Sequence, residues 1–195
     1  MKRLVLGVTL FLVVGVVQAA ESLQWNSVSL SYQSVDLGGD KLTGLGISGT
    51  VLVGEYVFVA GSYASVSDEV QSFGINVDVD YNSLSAGLGF RHAISDGADL
   101  FGIVSYQDME VEASAQGVSE SASDNGYGLQ AGIRSLITES FELMGSLGYV
   151  DIGEESETGM NVSARYYFTG QFSIGVGYGQ SGDADTTSLS GTLFF

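Results

Sequence analysis

The chain has 195 residues and a formal net charge of -17, with 28 glycines, no proline, no cysteine, and only 15% charged residues. With 23 acids against 6 bases there is no basic face for a nucleic acid, and without cysteine there is neither a disulfide scaffold nor a thiolate metal site. The hydrophobic share of 45% is too high for a disordered chain, and the length fits one domain.

The chain opens with Lys2 and Arg3, continues through apolar residues 4–17, and then reads Gln18-Ala19-Ala20. A charged start, a short apolar middle and a small-residue end predict a cleaved signal peptide over 1–20, with one mature domain over 21–195. The apolar stretch is shorter than the roughly 20 residues of a membrane-spanning helix. After it, Lys41, Arg91, Arg134 and Arg165 stand alone against all 23 acids.

From Trp25 onward the pattern has a period of two. Trp25 itself is expected to anchor the first strand at a membrane interface. Val28, Leu30 and Tyr32 alternate with serines, and Leu45–Val53 forms a second apolar segment. Within the latter, Gly44-x-Gly46-x-x-Gly49 fits a dinucleotide fingerprint by letter only, because it opens no helix. Val57, Val59, Gly61 and Tyr63 climb again, before an acid-rich stretch over Ser67–Asp80. Leu84, Ala86, Leu88 and Phe90 descend to Arg91, and a turn follows over Ser95–Ala98. Three further hairpins repeat this plan. Each rises to a tyrosine (Tyr106, Tyr149, Tyr178), and descending strands carry Arg134 and Arg165 before turns at Thr138–Ser140 and Thr169–Gln171. Acid-rich stretches over Asp108–Asp124, Asp151–Glu157 and Asp183–Asp185 follow the tyrosines and are read as loops.

One face of every such segment is apolar; the other is mostly Gly, Ser and Gln. A soluble sandwich would show Lys, Glu and Thr on its polar face, so this pattern fits a narrow barrel whose apolar face meets lipid. The absence of proline agrees, since a broken ladder bond in lipid costs several kcal/mol. Five rising strands imply five falling ones. The prediction is an all-β, transmembrane, antiparallel up-and-down barrel of ten strands. Eight is the alternative, if the Tyr32 or Leu45–Val53 segment lies outside. Tyr32, Tyr63, Tyr106, Tyr149 and Tyr178 are expected to form an aromatic girdle, with short turns and both termini periplasmic.

The chain closes with Leu189, Gly191, Leu193 and Phe195 on one face. This resembles the C-terminal assembly signal of bacterial outer-membrane barrels, and with the leader and the tyrosine-topped hairpins the chain resembles the small OmpA/OmpX-type outer-membrane β-barrels. The resemblance implies an integral outer-membrane protein of a Gram-negative cell, handled by the barrel-assembly machinery and surrounded by lipid and lipopolysaccharide. Members are typically eight-stranded, and the ten-strand count departs from that.

Parity places Arg91, Arg134 and Arg165 on the inner face near the short-turn end, with Glu142 as the acid at that level. Arg134 and Glu142 sit symmetrically about a turn, which predicts a cross-strand ion pair that Arg165 can share. Tyr56, Phe58, Phe101, Met144, Tyr167 and Phe194 have inward parity and predict a polar-aromatic plug. The upper lumen, with Ser29, Ser31, Ser62, Ser105, Gln107, Gly128 and Gly177, is expected to be looser. The competing outcome is an anion-favouring constriction. The single histidine, His92, falls on the lipid face, so no inward base exists for Ser/His/Asp catalysis, and neither enzymatic activity nor a cofactor is expected. Carboxylates such as Asp78/Asp80, Asp183/Asp185 and Glu154, Glu155, Glu157 make divalent cations candidate partners. The expected role is structural or surface interaction through acidic loops, with a narrow porin-like channel as the alternative.

Overall fold

A computed structural model describes residues 23–38, 41–72, 75–115 and 118–195. The leader expected over 1–20 lies outside the described residues. The elements are β1 (Ser27–Asp36), β2 (Lys41–Leu52), β3 (Val57–Ser72), β4 (Ile75–Ser95), β5 (Ala98–Ala115), β6 (Val118–Thr138), β7 (Phe141–Ile152), β8 (Glu155–Thr169), β9 (Phe172–Ser181) and β10 (Ala184–Phe194). Each pairs antiparallel with its sequence neighbours, and β1 closes on β10 through Ser27↔Phe194 to Asp36↔Asp185. The barrel therefore has ten strands. The segments whose omission would have left eight are β1 and β2, both fully in the ladder.

The register is staggered. Followed from Asp36 through Asp185, Gln180, Met160, Leu147, Ala131, Gly102, Phe90 and Val57, the pairing descends to the level of Gln24. That stagger of about 12 residues on ten strands corresponds to a tilt of about 40°. Two-residue turns, Asp96-Gly97, Glu139-Ser140 and Gly170-Gln171, close one end. The β2–β3 connection at that end, Val53–Tyr56, needs Gly54 at φ 112.

The outer surface carries the apolar half of the alternation. Leu88 is 63% and Leu147 70% exposed, an arrangement stable only where lipid replaces water. Tyrosines ring this band toward the long-hairpin end, and their hydroxyls reach polar partners just beyond it: Tyr63 to Asn82, Tyr106 to Asp108, Tyr127 and Tyr149 to Asp151, Tyr178 to Asp185. Tyr127, not among the expected set, joins this ring beside Tyr149 at 6.2 Å. A second set of aromatics, Tyr56 on Phe90 and Tyr166–Phe168–Phe172, marks the short-turn edge. Leu88 lies between the two rings. Leu88→Arg is expected to destabilise the folded barrel by about 2–4 kcal/mol in urea titrations from lipid vesicles.

The acid-rich stretches are a correction. Ser67–Asp80 and Asp108–Asp124 are not loops: β3 and β4 stay paired to Ser72↔Ile75, and β5 and β6 to Ala115↔Val118. The tighter Asp151–Glu157 and Asp183–Asp185 stretches contain turns, at Gly153-Glu154 and Gly182-Asp183. At about 3.3 Å per residue, the 21-residue β4 and β6 are about 70 Å long. Tilted by about 40°, they rise well past a band about 25 Å tall. The alternation persists in these extensions, which is why they remain strands, but its phase is reversed. Outward positions are Glu69, Asp80, Asp108 and Glu110; inward positions are Val66, Tyr81, Met109 and Val111.

Candidate functional site

The lumen is filled from the short-turn end. The segment before β1 enters the barrel, so Trp25 is 4% exposed and packs on Phe58 at 4.5 Å and Phe101 at 6.0 Å between ring centroids. The expectation of an interfacial Trp25 is thus corrected. Its indole N–H donates to Asp99 Oδ2 at 2.7 Å, which satisfies the one polar atom a buried tryptophan brings. Tyr56 is the other correction, because it lies outside and stacks on Phe90. Phe58, Phe101, Tyr167 and Phe194 are all buried, and Met144 packs against the Trp25 cluster.

The charged groups interlock with these rings. Arg134 donates from Nε and Nη2 to the two oxygens of Glu142, each at 3.0 Å, and from Nη2 to the Gln24 carbonyl. Arg165 Nη1 donates to Glu142 Oε1 at 3.0 Å, and the Tyr167 hydroxyl donates to Oε2. Glu142, 2% exposed, therefore accepts from two guanidiniums and a phenol. This is the pairing that makes a buried carboxylate tolerable. Arg134 also lies over the Trp25 ring at 4.5 Å and Arg165 over Phe194 at 5.5 Å. Arg91, the fourth expected member, joins a separate pair: its Nε is 3.3 Å from Asp99 Oδ2.

Asp99 went unread in the sequence because it borders the Ser95–Ala98 turn. A signal existed. Arg91 and Asp99 flank their turn at the same eight-residue spacing that separates Arg134 from Glu142. Asp99 pairs in register with Arg134, so it joins the two charge pairs.

Glycines make the plug fit. A Cβ at Gly89 would stand 2.1–2.6 Å from the Phe58 ring, which Trp25 holds in place. Gly89→Ala is expected to cost about 1–3 kcal/mol through overpacking. The check is equilibrium unfolding beside Gly102→Ala, where the nearest atom lies at 3.7 Å.

Above the plug is a cavity of about 280 Å³, bordered by Ser29, Ser48, Ser62 and Gln130, with Arg134 and Arg165 at its floor. Higher still, Gln33 bonds Ser31, and Gln107 bonds Ser85 and Ser105. Gly46 and Gly128 leave room for these two amide side chains. The Gly44–Gly49 glycines thus serve strand packing in β2. His92 is exposed on β4. Leu189, Leu193 and Phe195 face outward at the end of the chain, and Gly191 lies under the Phe172 ring.

At the long-hairpin end the barrel opens into a mouth of about 840 Å³. Tyr81, Met109, Val111, Val150 and Ile152 form an apolar wall, and Asp124, Glu154, Glu155, Glu157 and Asp183 stand around it. Burial first, then the Glu157 carboxylate, raises the Tyr81 hydroxyl above its ordinary pKa. Among the described residues no three acids converge closely enough to hold a metal ion. This mouth was not anticipated from the sequence.

A closed antiparallel barrel with an apolar outer band, two aromatic edges and a packed lumen defines an integral outer-membrane β-barrel protein. The chain belongs to the outer membrane protein beta-barrel domain family, which matches residues 6–179. No curated protein sequence matches it. Among solved structures it is similar to the NanC porin, with 6% identity, 86% of this chain and 99% of that chain covered, and a TM-score of 0.53. It also resembles Ail, the attachment invasion locus protein of Yersinia pestis (18% identity, 86% and 94% covered, TM-score 0.43). The N-terminal beta-barrel domain of Pseudomonas aeruginosa OprF is similar at 15% identity, with 89% and 100% covered and a TM-score of 0.46.

Proposed function

We propose that this barrel is a non-enzymatic, non-conducting outer-membrane protein that works at its outer face, through acidic hairpins presented to partners outside the cell. The short turns and both termini face the periplasm in this reading, and the extended hairpins face outward. The observation that carries it is the plug: Trp25, Phe58, Phe101, Tyr167 and Phe194 occupy the lumen, and the arginines there are spent on Glu142 and Asp99. A guanidinium held by a carboxylate is a poor anion filter, which weighs against an arginine-lined channel. Acidic outward positions beyond the tyrosine ring favour basic partners, or lipopolysaccharide phosphates bridged by divalent cations. The barrel-assembly machinery is the partner expected for Leu189, Gly191, Leu193 and Phe195.

The test is conductance. Refolded protein, verified by a heat-dependent gel shift, is expected to leave planar bilayers silent. Steady unitary currents that change in Arg134→Ala would overturn this reading in favour of a narrow porin-like channel.

A further inference from the structure

The hairpin extensions put their apolar side chains inward; Val66 is buried there, but others line the open mouth. Val111 is 41% exposed at the mouth. Leaving apolar side chains wet is unfavourable by about 25 cal/mol per Å², and outward acids alone would have kept the hairpins soluble. Carboxylates are interleaved with this wall: Asp124 pairs in register with Met109, Glu157 with Val150 and Glu155 with Ile152, and Glu154 and Asp183 stand at the adjoining turns. Glu157 is met by the Ser181 hydroxyl at 3.1 Å, not by a cation. Among the described residues the bases are engaged elsewhere: Lys41 faces Asp36 at 3.7 Å, and the three arginines are in the plug.

We propose that the mouth binds a small organic cation with an apolar body, an aryl- or alkyl-ammonium. The volume of about 840 Å³ suits one drug-sized molecule. A bare metal ion finds no three-acid site among the described residues. A wholly polar polyamine leaves the Met109–Val111 wall wet, and a neutral apolar molecule leaves the carboxylates unused. Only a molecule with both parts uses both the apolar and the acidic side chains of the lining. The inference deepens the surface-interaction reading and rests on it for which end faces outward.

The probe is dansylcadaverine, an environment-sensitive aryl sulfonamide with a primary ammonium. The protein is held in phosphatidylcholine nanodiscs, free of lipopolysaccharide. Saturable, blue-shifted fluorescence above that of empty nanodiscs is expected, with the N-acetylated probe at least about tenfold weaker. Glu155→Gln with Glu157→Gln is expected to weaken the charged probe about tenfold and to leave the acetylated one unchanged. Met109→Ser is expected to weaken both. The gel shift checks folding of each variant. Equal binding of the two probes, signals matching empty nanodiscs, or carboxylate variants that bind as tightly as the parent would overturn the inference. Conductance separates the two ideas. Currents with charge-dependent binding intact sink the surface reading alone; silent bilayers without such binding sink this one alone.

Discussion

Glu142→Leu lowers the unfolding free energy of the barrel by about 3–5 kcal/mol, the expected effect of leaving buried guanidiniums without their carboxylate. Arg134 and Arg165 converge on Glu142 at 3.0 Å, and Arg134 is too enclosed to find water in its place. Tyr167 loses its acceptor as well. Urea titration of protein folded into vesicles measures the change. Glu142→Gln keeps two oxygen-or-nitrogen contacts and the shape, so it separates charge from packing and should fall between the two. A loss under about 1 kcal/mol for Glu142→Leu would mean that the arginines relax into the 280 Å³ cavity above them.

Trp25→Ala is the second large effect, also about 3–5 kcal/mol, because it empties the centre of the plug. Phe58 and Phe101 lose their shared neighbour, Arg134 loses the ring beneath it, and Asp99 loses a donor. Trp25→Phe keeps most of the packing and removes only the indole N–H, so about 1–3 kcal/mol is expected there. Asp99 retains Arg91, which sets the lower end of that range. If both variants were equally destabilised, the hydrogen bond and not the packing would dominate.

The strands were legible because lipid and a narrow lumen impose opposite demands on adjacent residues. The runs ending in Tyr63, Tyr106, Tyr149 and Tyr178 state both demands at every step. Arg134, Glu142 and Arg165 were legible by the same parity and by symmetry about a turn. The extensions were not, since acids suggest loops, and Ser67–Asp80 or Asp108–Asp124 contain enough of them to hide an alternation running in the other phase. Trp25 was misplaced for a different reason. It precedes the first strand, where no alternation fixes a side, and its position depends on Asp99 and Phe58, far away in the chain.

The plug joins residues that the chain keeps furthest apart. Gln24 bonds the Gly170 carbonyl, Ser29 meets Thr192, and Phe194 on β10 packs on Tyr167 of β8. No single hairpin supplies that whole interior: Trp25 meets Phe58 on β3, Phe101 on β5 and Arg134 on β6, so its surroundings are complete only when the strands have come round. The sole tryptophan lies inside it, and its emission should stay water-like through insertion of the hairpins and shift only when the ring of strands seals. The protein thus carries its own optical signal for the last step of its assembly.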